Sequence, residues 1–389
     1  MSILHIGAKV INRLEITFIT ILVNMFEVKE IQDTDLVNNP VIAQMSMFNH
    51  EQILFCNDNS TGLKAIIAVH NTVLGPALGG TRMWMYKNEM EALNDVLRLS
   101  RGMTYKNSIS GLNLGGGKAV IIGDSYSMKS EALMRRFGKF VNSLAGKYIT
   151  AEDVGISTLD MTYVKMETDN VVGLPGKSGD PSPVTAHGVY MGMKACAKEQ
   201  FGSDSLAGKK VAIQGVGHVG EYLVKFLTNE GAIVTITDIH EPTLKRVSET
   251  YSTKVVGLDE IYNVDMDIYA PCALGATINH ETLSRLKCSI IAGAANNQLQ
   301  QEEIHGIEVM KKGIIYAPDF ALNAGGVINC YSEVKGFSAE WAMGKADEIY
   351  NTISTIVKRS KIENIPTYQI ANKMAEERIE SIGKVKLPL

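Results

Sequence analysis

The fold is decided by residues 210–238, KVAIQGVGHVGEYLVKFLTNEGAIVTITD. Lys210–Gln214 is a short apolar run typical of a buried strand, and residues 215–220 follow it directly with the spacing GxGxxG. A helical period and a second apolar strand come next, and this strand ends at Asp238. The order of strand, glycine turn, helix and strand predicts the first unit of a doubly wound parallel sheet.

The turn in this unit has the chemistry of a dinucleotide site. Gly215, Gly217 and Gly220 permit a tight turn, close approach of a pyrophosphate to the backbone, and tight packing of helix against strand. His218 and Val219 stand where the helix begins and where free N–H groups can bind phosphate. We therefore predict that these five residues bind a dinucleotide.

Asp238 closes the unit at about the 20-residue distance expected for such a site. A carboxylate there accepts hydrogen bonds from ribose hydroxyls and repels a 2′-phosphate. The next residues, Ile239 and His240, supply no arginine that would bind that phosphate. The sequence thus favours NAD over NADP. The alternative is that the glycines only tighten a turn and Asp238 is a solvated strand end.

The whole chain has room for two domains and the composition of a soluble globular protein. It has 389 residues, and single hydrophobic cores stop growing near roughly 250–300 residues. Hydrophobic residues make up 45% and charged residues 21%, which argues against disorder and against a polytopic membrane protein. The net charge of −4, with no polybasic block, gives nucleic acid or acidic lipid no electrostatic basis for binding. We expect a small-molecule substrate, no nucleic-acid partner and no membrane association.

The cysteines and histidines predict a reduced, cytoplasmic protein without a metal site. The five cysteines are odd in number and widely spaced, which disfavours a disulfide framework or a zinc ribbon. The eight histidines show no metal-ligand spacing.

The beginning of the chain permits two interpretations. Residues 16–26 form a mostly apolar run after two basic residues, as in a signal peptide. However, Glu15 interrupts its flank, no small-x-small cleavage site follows, and the run is shorter than the ~20 residues that span a membrane. We predict an amphipathic or frayed extension over residues 1–36, and Met25 is a second candidate for the true start.

The rest of the chain has the pattern of an α/β protein. From Glu51 onward short apolar runs alternate with helical periods, which predicts largely parallel strands. Asn88 is placed to cap a helix that has Glu91 three residues later and that ends at Gly102. Residues 173–183 contain three glycines and three prolines, the composition of a linker between domains.

A second group of residues predicts an anion site in the first half of the chain. Residues 115–117, all glycine, predict a turn that delivers Lys118 to a strand over residues 119–122. Lys106 and Lys118 flank this glycine-rich, apolar segment. The charge of Lys106 would lower the pKa of Lys118 towards that of a base near neutral pH. The alternative for each lysine is a surface charge on a loop.

Two adjacent carboxylates, Glu152 and Asp153, follow in the segment Thr150-Ala151-Glu152-Asp153-Val154-Gly155. Either of them could pair with a lysine. From the residues alone, a solvated loop is the alternative.

Several motifs, present in one order, resemble those of a known family. They are Gly75–Met83, Arg101–Lys106, Gly115–Lys118, Ala151–Gly155, Gly179–Pro183, Tyr316–Asp319 and Asn323–Val327. They are similar to the motifs of the amino-acid dehydrogenases of the glutamate/leucine/phenylalanine/valine group, from about Phe48 to Ile382. Two features depart from the pattern: the segment before about Leu36 has no counterpart, and His218 stands where asparagine is common.

The resemblance implies reversible, NAD-dependent oxidative deamination of an L-amino acid to a 2-oxo acid and ammonium. Lys106 would bind the substrate carboxylate, Lys118 would be the catalytic lysine, and Asp153 would be its acidic partner. Hydride would pass from the substrate Cα to the nicotinamide, and water would then attack the iminium. The resemblance also implies cofactor contacts near the nicotinamide from Thr185, Asn296 and Asn323.

The resemblance further implies an apolar pocket for the substrate side chain. Glutamate-type relatives have a lysine and a serine for the side-chain carboxylate where this chain has Leu78 and Cys330. A glutamate side chain would lose both partners, which is costly in a buried site. The full substrate-binding set is Lys106, Leu78, Gly79, Met103, Ala151, Val327 and Cys330. For the four pocket residues Leu78, Ala151, Val327 and Cys330, the alternative is ordinary core packing.

The overall resemblance favours branched aliphatic substrates over aromatic ones, namely leucine with valine and isoleucine. The alternatives are a dehydrogenase of phenylalanine or tryptophan type and a non-catalytic nucleotide-binding relative.

We thus expect two domains separated by a cleft. An α/β substrate-binding and oligomerisation domain is predicted over residues 37–178, and a Rossmann-type NAD-binding domain over residues 179–365. By family analogy a C-terminal helix over about residues 366–389 would pack back on the first domain. The resemblance also implies a homo-oligomer, an octamer.

Overall fold

The computed structural model describes residues 41–177 and 179–385, and these form two β-sheets with helices packed around them. The predicted extension over residues 1–36 and the alternative start at Met25 lie outside the described residues. Of the described residues, 45–177 and 179–385 belong to one compact unit.

The first sheet is mixed. Its strands are β1 (Gln52–Asp58), β2 (Leu63–Asn71), β3 (Ala77–Leu78), β4 (Thr81–Trp84), β5 (Gly115–Ile122) and β6 (Tyr148–Ile149), in the order β1-β2-β5-β3-β6 with β4 also paired to β5. β2 runs antiparallel to β1 and β5, whereas β3 and β4 run parallel to β5. β3, β4, β5 and β6 pair in parallel as predicted. β2 is the exception in this sheet, and the short β1–β2 connection permits only antiparallel pairing.

The described helices of the first part of the chain are α1 (Val41–Phe48), α2 (Glu89–Ile109), α3 (Glu131–Ser143) and α4 (Thr158–Lys165). α2 begins as predicted, since the Asn88 side chain accepts a hydrogen bond of 2.8 Å from the backbone N–H of Glu91. Its predicted end at Gly102 is wrong. Gly102 is exposed, and the buried residues on either side of it keep the helix packed on the sheet as far as Ile109. Lys106 therefore lies in the last turn of α2.

Residues 115–117 form the start of strand β5, so the predicted turn is also wrong. A Cβ on Gly115 would lie 1.9 Å from the carbonyl oxygen of Asn71, and one on Gly116 would lie 2.1 Å from the backbone nitrogen of Thr104. The glycines are thus explained by close packing between β5, its neighbours and α2, and they carry Lys118 into the middle of the strand.

The second sheet has the doubly wound order. Its strands are β7 (Lys210–Gln214), β8 (Ile233–Thr237), β9 (Lys254–Val255), β10 (Ile268–Pro271), β11 (Ile290–Ile291) and β12 (Ile315–Tyr316), in the order β12-β11-β10-β7-β8-β9 with every pair parallel. β7 and β8 lie where the sequence predicts them. The order reverses between β7 and β10, and ligands of such sheets bind beyond the carboxyl ends of the strands at this point.

The remaining helices pack around the second sheet. They are α5 (Ser182–Phe201), α6 (His218–Asn229), α7 (Glu241–Tyr251), α8 (His280–Arg285), α9 (Glu302–Lys311), α10 (Asp319–Leu322), α11 (Gly325–Lys335), α12 (Ala339–Glu363) and α13 (Thr367–Val385), with a 3₁₀ turn at Glu260–Asn263. One apolar cluster includes Leu78 and Leu112 from the first part of the chain with Val184 and Val327 from the second.

Helix α13 lies against α2. Ser108 Oγ donates a hydrogen bond of 2.7 Å to the carbonyl of Ala375, and the Tyr105 hydroxyl donates one of 2.6 Å to Glu376. Arg378 donates one of 2.8 Å to the carbonyl of Leu112. The end of the described chain thus contacts the helix that carries Lys106. None of the described helices has the length and apolar character to cross a membrane.

Candidate active site

Lys118 and Asp153 form the ion pair at the centre of the candidate site. Lys118 projects from β5, and its Nζ lies 2.5 Å from Oδ2 of Asp153, while the side chains are 9% and 24% exposed. Burial alone would raise the pKa of Asp153, but the charge of Lys118 and its hydrogen bond, together with Arg82, hold it below its ordinary value. Of the two adjacent carboxylates, Asp153 therefore meets the lysine. Partial burial and the charge of Asp180 raise the pKa of Glu152.

Three residues around this pair were not singled out by the sequence analysis. Arg82, on β4, places its Nε 3.4 Å from Oδ2 of Asp153 and donates a hydrogen bond of 3.0 Å from Nη1 to Asp95 on α2. The Tyr86 hydroxyl donates one of 2.6 Å to the same oxygen of Asp95. The only sequence signal was the position of Arg82 within the motif Gly75–Met83.

Lys106 lies close to the same charges. Burial lowers its pKa to about 8, Asp319 opposes this shift, and the charge of Lys118 lowers the pKa further. Its Nζ donates a hydrogen bond of 3.4 Å to Oδ1 of Asn296. The pKa of Lys106 is therefore lowered towards the neutral range.

Asp319, in the motif Tyr316–Asp319, was also not singled out. It is 7% exposed, and burial raises its pKa although Lys106 opposes the shift.

Asn296 and Asn323 are brought together beside Lys106. Asn323 Nδ2 donates hydrogen bonds of 2.8 Å to Asn296 Oδ1 and 2.9 Å to the carbonyl of Ala294. Oδ1 of Asn323 is buried and has no hydrogen-bond partner among the described residues. Thr185, buried at the start of α5, donates a hydrogen bond to Pro181 and lies against Gly326, just after Asn323. Asn296 thus links Asn323 to Lys106, and the unpaired amide oxygen of Asn323 can accept a hydrogen bond from a ligand.

The glycine turn fits a bound dinucleotide. Gly215 has φ +102°, and a Cβ there would lie 2.6 Å from Cβ of Ala273. A Cβ on Gly220 would lie 2.1 Å from the carbonyl oxygen of Gly215, whereas Gly217 has no other described atom within 4 Å of that position. The first and third glycines are therefore required for packing, and the second leaves open space in front of α6 for a pyrophosphate.

The residues that flank the turn are also in place for a ligand. Gly217 precedes α6, whose first residue is His218, and both are exposed, while Val219 is half-buried. Asp238 Oδ2 accepts a hydrogen bond of 2.7 Å from the N–H of Val216, within the turn itself. This bond fixes the carboxylate at the end of β8, next to the open space in front of α6.

The predicted apolar pocket residues belong to one apolar cluster. Leu78, Ala151 and Val327 are buried, and the half-buried Met103 and Cys330 pack against the same cluster. Gly79 lies between β5 and α2, since a Cβ there would lie 1.8 Å from the carbonyl oxygen of Gly117 and 3.2 Å from Cγ of Met103. Burial raises the pKa of Cys330 to about 12, so that its thiol stays neutral.

Two family models match the chain. The model described as Glu/Leu/Phe/Val dehydrogenase, dimerisation domain, matches residues 50–170, and the model described as Glutamate/Leucine/Phenylalanine/Valine dehydrogenase matches residues 176–241 and 236–385. The chain belongs to the Glu/Leu/Phe/Val dehydrogenase family. Membership in this family implies a dinucleotide cofactor, and the glycine turn fits one.

Curated members of the family are similar over most of the chain. A leucine dehydrogenase of Geobacillus stearothermophilus is 54% identical over 347 residues, which is 88% of this chain and 94% of the relative. A leucine dehydrogenase of Bacillus subtilis is 54% identical, with 87% and 94% covered. A phenylalanine dehydrogenase of Bacillus thermotolerans is 46% identical, with 87% and 90% covered.

Solved structures of the family have the same architecture. The L-tryptophan dehydrogenase of Nostoc punctiforme has a TM-score of 0.80 and 42% identity, with 88% of this chain and 99% of that chain covered. A hetero-hexameric glutamate dehydrogenase of Thermus thermophilus has a TM-score of 0.72 at 18% identity, with 97% of each chain covered, which supports the fold alone.

Within residues 41–177 and 179–385, no group of three or more histidine, cysteine, aspartate and glutamate side chains is arranged to hold a metal ion.

Proposed function

We propose that the protein catalyses the reversible, NAD-dependent oxidative deamination of branched-chain L-amino acids, leucine with valine and isoleucine, to 2-oxo acids and ammonium. The observation that carries the proposal is the Lys118–Asp153 ion pair next to Lys106 and Asn296. The similarity to enzymes named leucine dehydrogenase, at 54% identity, supports the choice of substrate.

Lys106 and Lys118 have different roles: Lys106 binds the amino-acid substrate, and Lys118 takes part in proton transfer. Lys106, with its ammonium group beside the amide of Asn296, binds the substrate carboxylate. Bound nicotinamide supplies the hydride acceptor. Lys118 and Asp153 take a proton from the water that attacks the iminium carbon, and they return a proton to the nitrogen that leaves as ammonia. A buried ion pair is suited to this exchange because each partner stabilises the charge that the other carries.

Three groups of residues bind the cofactor: the glycine turn, Asp238 at the end of β8, and three polar residues near the nicotinamide. Gly215, Gly217, His218, Val219 and Gly220 bind the pyrophosphate at the start of α6. Asp238 binds the ribose hydroxyls and repels a 2′-phosphate, which favours NAD. Near the nicotinamide the contacts come from Thr185, Asn296 and Asn323, and the buried, unpaired Oδ1 of Asn323 supports this placement.

The substrate side chain occupies an apolar pocket formed by Leu78, Met103, Ala151, Val327 and Cys330. Their membership in one apolar cluster fits this role and core packing alike, and the similarity to enzymes named leucine dehydrogenase favours the pocket. A neutral thiol at Cys330 offers no charge to a glutamate carboxylate.

The remaining organisation follows the family. Residues 37–178 form the substrate-binding and oligomerisation domain, residues 179–365 form the NAD-binding domain, and the C-terminal helix returns to the first. The first matched family model is described as a dimerisation domain, which supports a homo-oligomer. The resemblance favours an octamer, and the cysteine usage favours the cytoplasm.

A dehydrogenase of aromatic amino acids is the second candidate, because relatives named phenylalanine and tryptophan dehydrogenase are 46% and 44% identical. The formation of reduced nicotinamide with a panel of amino acids, and with NAD and NADP, separates the candidates. We expect leucine, valine and isoleucine to react faster than phenylalanine or tryptophan. Faster turnover of phenylalanine would favour the second candidate, and inactivity on every amino acid would favour a non-catalytic relative.

The role of Lys118 is tested by Lys118→Ala. We expect kcat for leucine to fall by about 10²–10⁴, the range for loss of a general acid or base. Binding of NADH, followed by its fluorescence, should change less than about twofold, since the turn is untouched. Near-normal turnover would contradict the assignment.

A further inference from the structure

We infer that Arg82 is a positioning residue for the reaction proposed above. Arg82 is a second, permanent cation that holds the Asp153 carboxylate, and Asp95, which accepts a hydrogen bond from Tyr86, in turn holds Arg82. The inference rests on the proposed function, because it concerns the acid that works with Lys118.

The geometry is a chain of alternating charges. Oδ2 of Asp153 lies 2.5 Å from Nζ of Lys118 and 3.4 Å from Nε of Arg82. On its other side, Arg82 donates a hydrogen bond of 3.0 Å to Asp95, which also accepts one of 2.6 Å from Tyr86. The side chains of Arg82 and Asp95 are only 25% and 28% exposed, so solvent screens this chain of charges incompletely.

The secondary structure fixes these positions. Arg82 lies opposite Val120 in the parallel β4–β5 pair, two residues beyond Lys118 on β5. Asp95 lies on α2, the helix that also carries Lys106. The contact between Arg82 and Asp95 therefore connects Asp153, the partner of Lys118, to α2, the helix whose Lys106 binds the substrate carboxylate.

Two cations are needed because burial opposes the ionised form of Asp153. Burial is the largest influence on the pKa of Asp153 and raises it, and the two cations together reverse this shift. When Lys118 gives up its proton during the reaction, its positive charge disappears, but a guanidinium remains charged. Without Arg82, Asp153 would take up the proton that Lys118 releases and could no longer accept one from water. Arg82 thus keeps Asp153 ionised until it accepts the proton from water.

The pH dependence of turnover tests this role. In Arg82→Gln the pKa of Asp153 should rise, so that the acid limb of the kcat profile for leucine oxidation moves to higher pH by about 1 unit, the usual effect of an adjacent arginine. We expect kcat to fall by about tenfold or more and the KM for NAD to change less than about twofold. Arg82→Lys should restore part of both effects, and Tyr86→Phe should cause a smaller shift of the limb in the same direction.

Arg135→Gln is the matched control, because Arg135 is an arginine of the same part of the chain that pairs with two acids, Glu131 and Glu167, at the surface. It should leave the pH profile unchanged. A uniform fall of kcat at every pH in Arg82→Gln, with the acid limb in place, would mark a merely structural role and overturn the inference.

A second measurement does not depend on turnover. Titration of ¹³Cγ-labelled aspartate by NMR, with the Asp153 signal assigned by its absence in Asp153→Asn, should give a higher pKa for Asp153 in Arg82→Gln than in the wild type. An equal pKa in both proteins would overturn the inference even if the wild type oxidises leucine. If the wild type oxidises no amino acid, the proposed function fails, and the titration still decides whether Arg82 holds Asp153.

Discussion

Lys106 is the residue whose ionisation can be followed most directly, because burial, opposed by Asp319 and aided by Lys118, lowers its pKa to about 8. Half of this amine is then neutral at pH 8, against less than about 1% for a lysine of ordinary pKa. We expect an amine-reactive reagent at pH 8 to acylate Lys106 about tenfold faster than the exposed Lys225, allowing for its partial burial.

Peptide mapping by mass spectrometry measures both labelling rates in one sample. A saturating 2-oxo acid should slow the labelling of Lys106 alone, since a bound carboxylate stabilises the charged amine. Equal rates at Lys106 and Lys225 without ligand would contradict the lowered pKa.

At the scale of residues, motifs predicted which groups would carry charge but not how the charges interact. Lys106, Lys118 and Asp153 were all assigned from the sequence. The Asp153–Arg82 contact was not, because it depends on the position of β4 against a loop that follows β6. The direction of a lysine pKa likewise depends on burial, which spacing along the chain does not give.

Strand β5 and helix α2 approach each other so closely that a single methyl group should separate them. In Gly116→Ala the new Cβ would lie 2.1 Å from both the backbone nitrogen and Oγ1 of Thr104. We expect a loss of about 3 kcal/mol in the free energy of unfolding, at the upper end for overpacking. Activity should also fall, since Lys106 and Lys118 lie on the two elements that are pushed apart. Urea unfolding and leucine oxidation measure the two effects.

Gly102→Ala is the matched control on the same helix. It is exposed, and no other described atom lies within 4 Å of the place of its Cβ. Since alanine is the better helix former, this change should stabilise the protein by up to about 1 kcal/mol and leave activity intact. Equal effects of the two substitutions would show that the contact between β5 and α2 is not close.

At the scale of elements, glycine was the residue that the sequence analysis misinterpreted. The sequence predicts a helix end at Gly102 and a turn over residues 115–117, because glycine favours both in isolation. Tertiary packing decides otherwise in both cases: α2 remains packed on the sheet, and β5 needs the missing side chains. By contrast, β7, its glycine turn and β8 were predicted correctly, since the strand, turn and helix signals there agree with one another.

At the scale of the whole molecule, the second sheet could be predicted and the first could not. The GxGxxG unit specifies a parallel, doubly wound sheet, and the structure has one. Nothing comparable marks the first sheet, where β2 is buried along most of its length and antiparallel to both neighbours. A buried strand is a continuous apolar run whether it is parallel or antiparallel to its neighbours. The sequence therefore does not predict the direction of β2 relative to β1 and β5.

Two buried histidines hold α2 to this first sheet, and they should set the acid stability of the molecule. His50 Nε2 lies 2.8 Å from Ser100 Oγ, His70 Nδ1 lies 2.8 Å from Thr104 Oγ1, and the two rings are in edge contact at 4.7 Å. Burial lowers the pKa of His50 to about 3 and that of His70 to about 4. The positive charge of Arg101 lowers both pKa values further.

Between pH 6.5 and 4 the unfolded chain binds protons on both histidines while the native protein does not, so the free energy of unfolding falls as the pH falls. Each histidine contributes up to about 1.4 kcal/mol per pH unit. In the double variant His50→Gln, His70→Gln, the loss between pH 7 and 5 should be smaller by up to roughly 2.7 kcal/mol per unit. Urea unfolding at the two pH values measures this difference. If the double variant loses as much stability at low pH as the wild type, His50 and His70 are not the source of the pH dependence.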